Sequence, residues 1–186
     1  MKPNEAENAI SQGEGQRTEF KQSFATENEA IETLCAFANA EGGTVFFGVT
    51  NDGRIKGAAL GRNTLETFAK NLKTHTDPPL SPPIEQLQLE GQVIVAATVQ
   101  PCVLGQVVFA FNRPLVRVGK TNQAMSSEEA RTRLLRGVPD RSKEEHFGHL
   151  AAVADRILNG RHNLRAATHQ HSESRFAKLE YTIWDV

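Results

Sequence analysis

The sequence predicts an α/β (α+β) domain, a mixed sheet with flanking helices, and three features carry that expectation. The stretch from Ala36 to Gly53 reads as a helix end, a Gly42-Gly43 stop, an apolar strand and an Asn51-Asp52-Gly53 turn. Two Ser/Thr-x-x-Glu boxes, Thr26 with Glu29 and Ser126 with Glu129, mark helix starts. Between them, Ile84 to Leu89 alternates apolar with polar residues, and Val93 to Val99 is a second apolar run.

Taken in order, residues 1–13 form a polar lead-in or short helix, and Thr18-Glu19-Phe20-Lys21 is a short strand. Thr26 caps a helix in which Ile31, Leu34, Cys35, Phe37 and Ala38 recur at helical spacing. Thr44 to Val49 is apolar throughout, which calls for cover on both faces. Arg54 to Gly57 is the return strand of the hairpin. Leu65, Phe68, Ala69 and Leu72 make a helix starting near Asn63 or Thr64, which must stop before Asp77-Pro78 because a residue preceding proline avoids helical geometry. Pro78, Pro79, Pro82 and Pro83 give an extended loop. Val107 to Phe111 and Leu115 to Val118 form a hairpin with residues 112–114 in its loop, and Ser126 opens a last helix to about Arg136. The domain is expected over 14–137. A further helix and a His- and Arg-rich, weakly ordered tail are expected over 138–186.

Composition narrows the function classes. A net charge of −1 gives no global basic field, so any nucleic-acid face must be local. Two cysteines, Cys35 and Cys102, are too few for a disulfide scaffold and read as small buried residues in a reducing compartment. No apolar run is long enough for a membrane span and the N-terminus lacks a signal-peptide core, so a cytoplasmic protein without a membrane partner is expected. His146, His149, His162, His169 and His171 crowd the C-terminus, but no cysteine joins them at zinc-ligand spacing.

Three blocks, in order, carry a family resemblance. They are Glu14 to Lys21, Ala36 to Gly53, and Arg113-Pro114-Leu115-Val116-Arg117-Val118-Gly119-Lys120-Thr121 followed by Met125 to Glu129. Together they resemble the Schlafen/AlbA-like (Schlafen AlbA-2 type) domain, which is described as DNA-binding. The resemblance implies a compact fold with a mixed sheet. It also implies a prokaryotic transcriptional-regulator or ATPase-associated context, although the chain has no GxxxxGK[ST] loop.

Two sets of residues follow as candidates. Lys21, Arg54, Lys56, Arg113, Arg117 and Lys120 are the candidate contacts to nucleic acid, DNA or RNA, through phosphate. Gly119 is the place where backbone amides could approach that phosphate. Schlafen nucleases imply a carboxylate triad around Mg²⁺ or Mn²⁺. Glu14 and Glu19 match its opening pair and Asp52 is the nearest third acid, since Thr50 and Asn51 directly follow Gly48-Val49. The leading expectation is a nucleic-acid-binding module, most plainly for DNA, with no catalysis and no cofactor. The alternatives are a metal-dependent endoribonuclease using Glu14, Glu19 and Asp52, and a protein-interaction or oligomerisation module, for which a homodimer through sheet edges is the natural form.

Overall fold

The computed structural model describes residues 1–136. The expected C-terminal helix and tail, with the five histidines from His146 onward, lie outside the described residues. From the N-terminus the chain forms α1 (Pro3–Ser11), β1 (Thr18–Lys21), a 3-10 turn (Phe24–Thr26), α2 (Glu27–Ala38) and β2 (Gly43–Phe47). Then follow α3 (Thr64–His75), β3 (Thr76–Asp77), β4 (Ile84–Leu89), β5 (Gln92–Val99), β6 (Phe109–Ala110), β7 (Arg113–Val118), β8 (Thr121–Ala124) and α4 (Ser127–Leu135).

Helix α2 explains the architecture. Ala30, Ile31, Thr33, Leu34, Cys35, Ala36, Phe37 and Ala38 are all buried, and these positions run right round the helix. A helix without a polar face must be enclosed. Two four-stranded sheets enclose it, ordered β1-β2-β5-β4 and β3-β6-β7-β8. The first is mixed, as expected: β1 runs parallel to β2, and the other pairs are antiparallel.

The apolar run of β2 divides by parity, because successive strand residues face opposite sides. Val45 and Phe47 join the cluster around α2, while Phe46 joins Ala6 and Ile10 of α1 on the other face; Val49, beyond the break in alternation at Gly48, joins that second cluster too. Val95, Ala97 and Val99 of β5 likewise go to α2, and Ile94 and Ala96 to α1. The second sheet repeats the division. Ala110 and Leu115 meet α2, while Phe109 packs with Met125, Ala130 and Leu134 beneath α4.

Several expected details come out differently. Thr26 makes no side-chain cap; Ser23 instead accepts from Ala25 N at 3.2 Å, and Glu29 turns to Lys21. A 3-10 turn has slipped in front of the helix, so the capping pattern sits one turn too late. By contrast, Ser126 and Glu129 form the expected capping box at α4. The β6–β7 turn is Phe111-Asn112, with φ of 50° and 62°, so Arg113 and Pro114 already belong to β7. The return strand after Asp52 shrinks to one bridge, Val49 to Ile55. Gly48 shows why: with φ at 88°, a Cβ there would lie 2.5 Å from Ala58 N, so one backbone crosses directly over the other.

Asn39, fully buried at the end of α2, stitches the helix to the second sheet. Its Nδ2 donates to Val108 O at 2.6 Å and Leu115 O at 2.8 Å, and its Oδ1 accepts from Val108 N at 2.8 Å. A leucine there has the same branched outline, is somewhat bulkier, and strips all three bonds. At about 1–3 kcal/mol per orphaned buried group, N39L should lower the unfolding free energy by about 4 kcal/mol. A urea titration followed by circular dichroism reads this as a lower midpoint.

Cys35, one turn before Asn39, is fully buried, and desolvation pushes its thiol up to about 12. The unfolded chain releases that proton near pH 9 and the folded chain does not, so the contribution is intact below pH 9 and is lost as pH rises toward 12. The loss runs at about 1.4 kcal/mol per pH unit. C35A should therefore flatten the alkaline limb of stability against pH, measured by denaturant midpoints between pH 8 and 11.

Candidate nucleic-acid interface

Strand β1 places its acids and bases by the same parity rule. Phe20 points into the α1 cluster, so Glu19 and Lys21 share the opposite face, toward α2. There Glu19 meets Arg117 of β7. Arg117 Nη2 donates to Glu19 Oε2 at 2.7 Å, with the arginine side chain 1% and the glutamate 13% exposed. Arg117 Nε donates to the carbonyls of Gly15 and Gly119, its Nη1 donates to Asn122 Oδ1, and its guanidinium stacks 5.0 Å over the Phe37 ring. Lys21 Nζ lies 3.1 Å from the second oxygen of Glu19 and 2.9 Å from Glu29 Oε2. Burial alone would lower the Lys21 pKa, but the hydrogen bonds it donates to Glu29 and Glu19 outweigh it and hold the ammonium above its ordinary range.

Beyond the end of β1 lies a hollow of about 260 Å³, lined by Phe20, Lys21, Gln22, Ser23, Thr26, Glu29 and Asn51. The carboxyl ends of parallel strands are where open α/β sheets receive ligands. The turn that supplies Asn51 also carries Arg54 and Lys56. Lys56 Nζ reaches Gln22 Oε1 at 3.5 Å, which brings it to the same rim. Arg54 Nε is 3.0 Å from Asp52 Oδ2, both exposed. A hydrogen bond from Thr50, with Arg54 nearby, lowers the Asp52 pKa.

The six basic candidates therefore separate. Lys21 lines the hollow, Lys56 reaches its rim through Gln22, and Arg54 stays in the adjoining turn against Asp52. Arg117 is buried and its donors are committed, so it holds the fold together and offers nothing to a phosphate. Its own parity gave the warning: Leu115 and Arg117 share a strand face, and Leu115 is core. Arg113 lies at the start of β7, 3.7 Å from Glu32, whereas Lys120 is exposed in the turn at the other end. At about 3.3 Å per residue, β7 keeps them roughly 17 Å apart. The Gly119 amide expected to approach a phosphate donates to Gln16 Oε1 at 2.8 Å instead. Gln22 and Ser23 line the hollow without having been singled out, because uncharged polar loop residues carry no periodic signal.

The three acidic candidates are each occupied separately. Glu14 Oε1 accepts from Phe20 N at 3.1 Å, Glu19 holds Arg117 and Lys21, and Asp52 closes its own turn with Thr50 and Arg54. Among the described residues, no group of three His, Cys, Asp or Glu is placed to hold a metal ion. A hard divalent cation needs free oxygen donors. Both oxygens of Glu19 face positive charge, so this set does not fit Mg²⁺ or Mn²⁺.

Comparison with known proteins agrees with the fold. The model of the Schlafen, AlbA_2 family matches residues 14–126, more than half the chain. The DIP2311 protein from Corynebacterium diphtheriae is similar in structure with a TM-score of 0.53 at 19% identity, over 66% of this chain and 24% of that one. The N-terminal domain of a RecG-related protein from Nitrosomonas europaea gives a TM-score of 0.44 at 20% identity, over 52% of this chain and 72% of that one. This chain thus corresponds to about a quarter of the Corynebacterium protein. No curated protein matches.

Removing one partner of a buried ion pair strands the other, at about 3–5 kcal/mol. R117M should lower stability toward the lower end of that range, because Lys21 still faces Glu19, and E19Q by less again, because the amide still accepts from Arg117. Denaturant midpoints check both. A metal-ligating Glu19 would behave otherwise: Mn²⁺ would raise the wild-type midpoint and E19Q would cancel that rise.

Proposed function

The chain belongs to the Schlafen, AlbA_2 family, and from that premise we propose that it is a nucleic-acid-binding module. DNA is the ligand we assign, in a prokaryotic transcriptional-regulator or ATPase-associated setting. One observation carries the reading. Lys21 lines the hollow and Lys56 reaches its rim through Gln22, with Arg54 in the adjoining turn, and the hollow also offers the hydrogen-bonding groups of Gln22, Ser23, Thr26 and Asn51. Cations beside neutral donors suit a phosphate oxygen, which takes charge from the first and geometry from the second.

The proposal contains no bond-breaking step, because the acids that would support one are tied up in ion pairs and turns. It also sets a scale. A site with about three cations releases few counterions, so binding is modest and salt-dependent rather than tight. It carries little sequence preference, since phosphate contacts position a duplex without reading bases.

Fluorescence anisotropy with a labelled duplex at two salt concentrations tests the reading. The plot of log affinity against log salt should slope by about −2 to −3. K56A should weaken binding to all sequences alike and reduce that slope by about 1. Folded wild-type protein that binds no duplex at low salt would overturn the proposal.

A further inference from the structure

A second feature of the surface has the chemistry of a nucleic-acid contact and lies away from the hollow. His75, exposed at the end of α3, stacks on Phe111 with ring centroids 4.8 Å apart and planes 30° from parallel. The pair is built into the fold. Phe111 N donates to His75 O at 2.9 Å, and Phe111 packs partly against the central core cluster. Phe111 and Asn112 hold positive φ in the tight β6–β7 turn. The phenyl ring is thus the fixed inner layer, and the imidazole is the outer one.

The surroundings are polar and basic. Asn112 is exposed next to Phe111, and Arg113 follows as the first residue of β7 with its side chain 60% exposed. Among the described residues its acidic contact is Glu32, 3.7 Å away, a weak hold on an exposed arginine.

The stack also has a spatial relation to the hollow. Asn71 Nδ2 donates to Glu27 Oε1 at 2.9 Å, in the first turn of α2 beside Thr26, which lines the hollow. His75 is four residues further along α3, on the same face and about 6 Å on.

We propose that the His75–Phe111 stack, with Asn112 and Arg113, is a stacking subsite for an unpaired base of the same nucleic acid whose phosphates the hollow receives. It rests on the nucleic-acid reading and adds to it. A flat ring backed by a second ring takes the face of any base, whereas Asn112 and Arg113 supply donors for its edge. A base inside a duplex has both faces covered by its neighbours, so the subsite distinguishes single-stranded or flipped-out nucleotides from paired ones. The two sites then divide the labour: the hollow supplies charge, and the stack supplies preference for unpaired segments.

The experiment measures anisotropy for a 12-nucleotide single strand and the corresponding duplex, with wild type, H75A, H75W and K56A. H75A should lose affinity for the single strand about fivefold or more, with duplex affinity unchanged. H75W, which restores a flat ring, should recover it, and K56A should weaken both ligands. The His75 ring-proton resonances should shift on adding the single strand and stay in place with the duplex, a readout that needs no variant to fold. Equal single-strand binding by H75A and wild type, or equal losses for strand and duplex, overturns the subsite and leaves the module reading standing. Wild type that binds neither ligand overturns both.

Discussion

The Glu19–Arg117 ion pair decides how the two sheets meet. Glu19 belongs to the edge strand of one sheet and Arg117 to a strand of the other, so the bond crosses the layer that α2 fills. Taking two charges out of water costs several kcal/mol per ion, and the attraction between them offsets this only where the remaining donors are satisfied. Here each guanidinium nitrogen is engaged: Arg117 Nε shares its single hydrogen between the Gly15 and Gly119 carbonyls, Nη1 donates to Asn122, and the face lies over Phe37. Asn122 in turn donates to Thr33 of α2, so the network closes on the helix. The same pair fixes the segment before β1, because Gln16 bonds both the Arg117 carbonyl and the Gly119 amide.

Much of this was legible in the sequence, for reasons that can be named. The Ala36–Gly53 stretch combines a stop that only glycine fits with an apolar run, and both signals are local. Gly42 has φ at 75° and donates to Phe37 O, and a Cβ on Gly43 would strike the Phe37 ring at 2.8 Å. Of the second sheet, only the β6–β7 hairpin was legible. Its β3 has two residues and its β8 reads Thr-Asn-Gln-Ala, so neither carries a strand pattern of its own. They are strands because Thr76 and Asp77 align with β6 and because a two-residue turn folds β8 back on β7. Asn39 was hidden likewise: a polar residue at a helix end looks like a cap until the carbonyls of Val108 and Leu115 arrive from 69 and 76 residues away.

The candidate site shows the same limit from the electrostatic side. Sequence reading counts charges, but folding decides which remain available. Arg117 and Lys21 both carry one positive charge and both touch Glu19, yet the first is sealed and the second opens on the hollow. The acids divide as well. Glu19 cannot leave its pair without stranding Arg117, whereas Asp52 and Glu29, on the exposed side, hold their partners in water.

That difference sets what a phosphate must displace. Exposed ion pairs are worth about 0–1 kcal/mol, so Arg54 can exchange Asp52 for a phosphate oxygen at little cost, and Lys21 can exchange Glu29 while keeping Glu19. Lys56 needs to give up only a long contact to the neutral Gln22. The interface is therefore held in a charge-balanced resting state by weak outer pairs, with one strong inner pair that never exchanges. Such a surface has no excess field to attract nucleic acid from a distance, consistent with a chain of net charge −1. In the proposed function, affinity comes from close contact at the hollow, which Lys21 lines together with neutral donors.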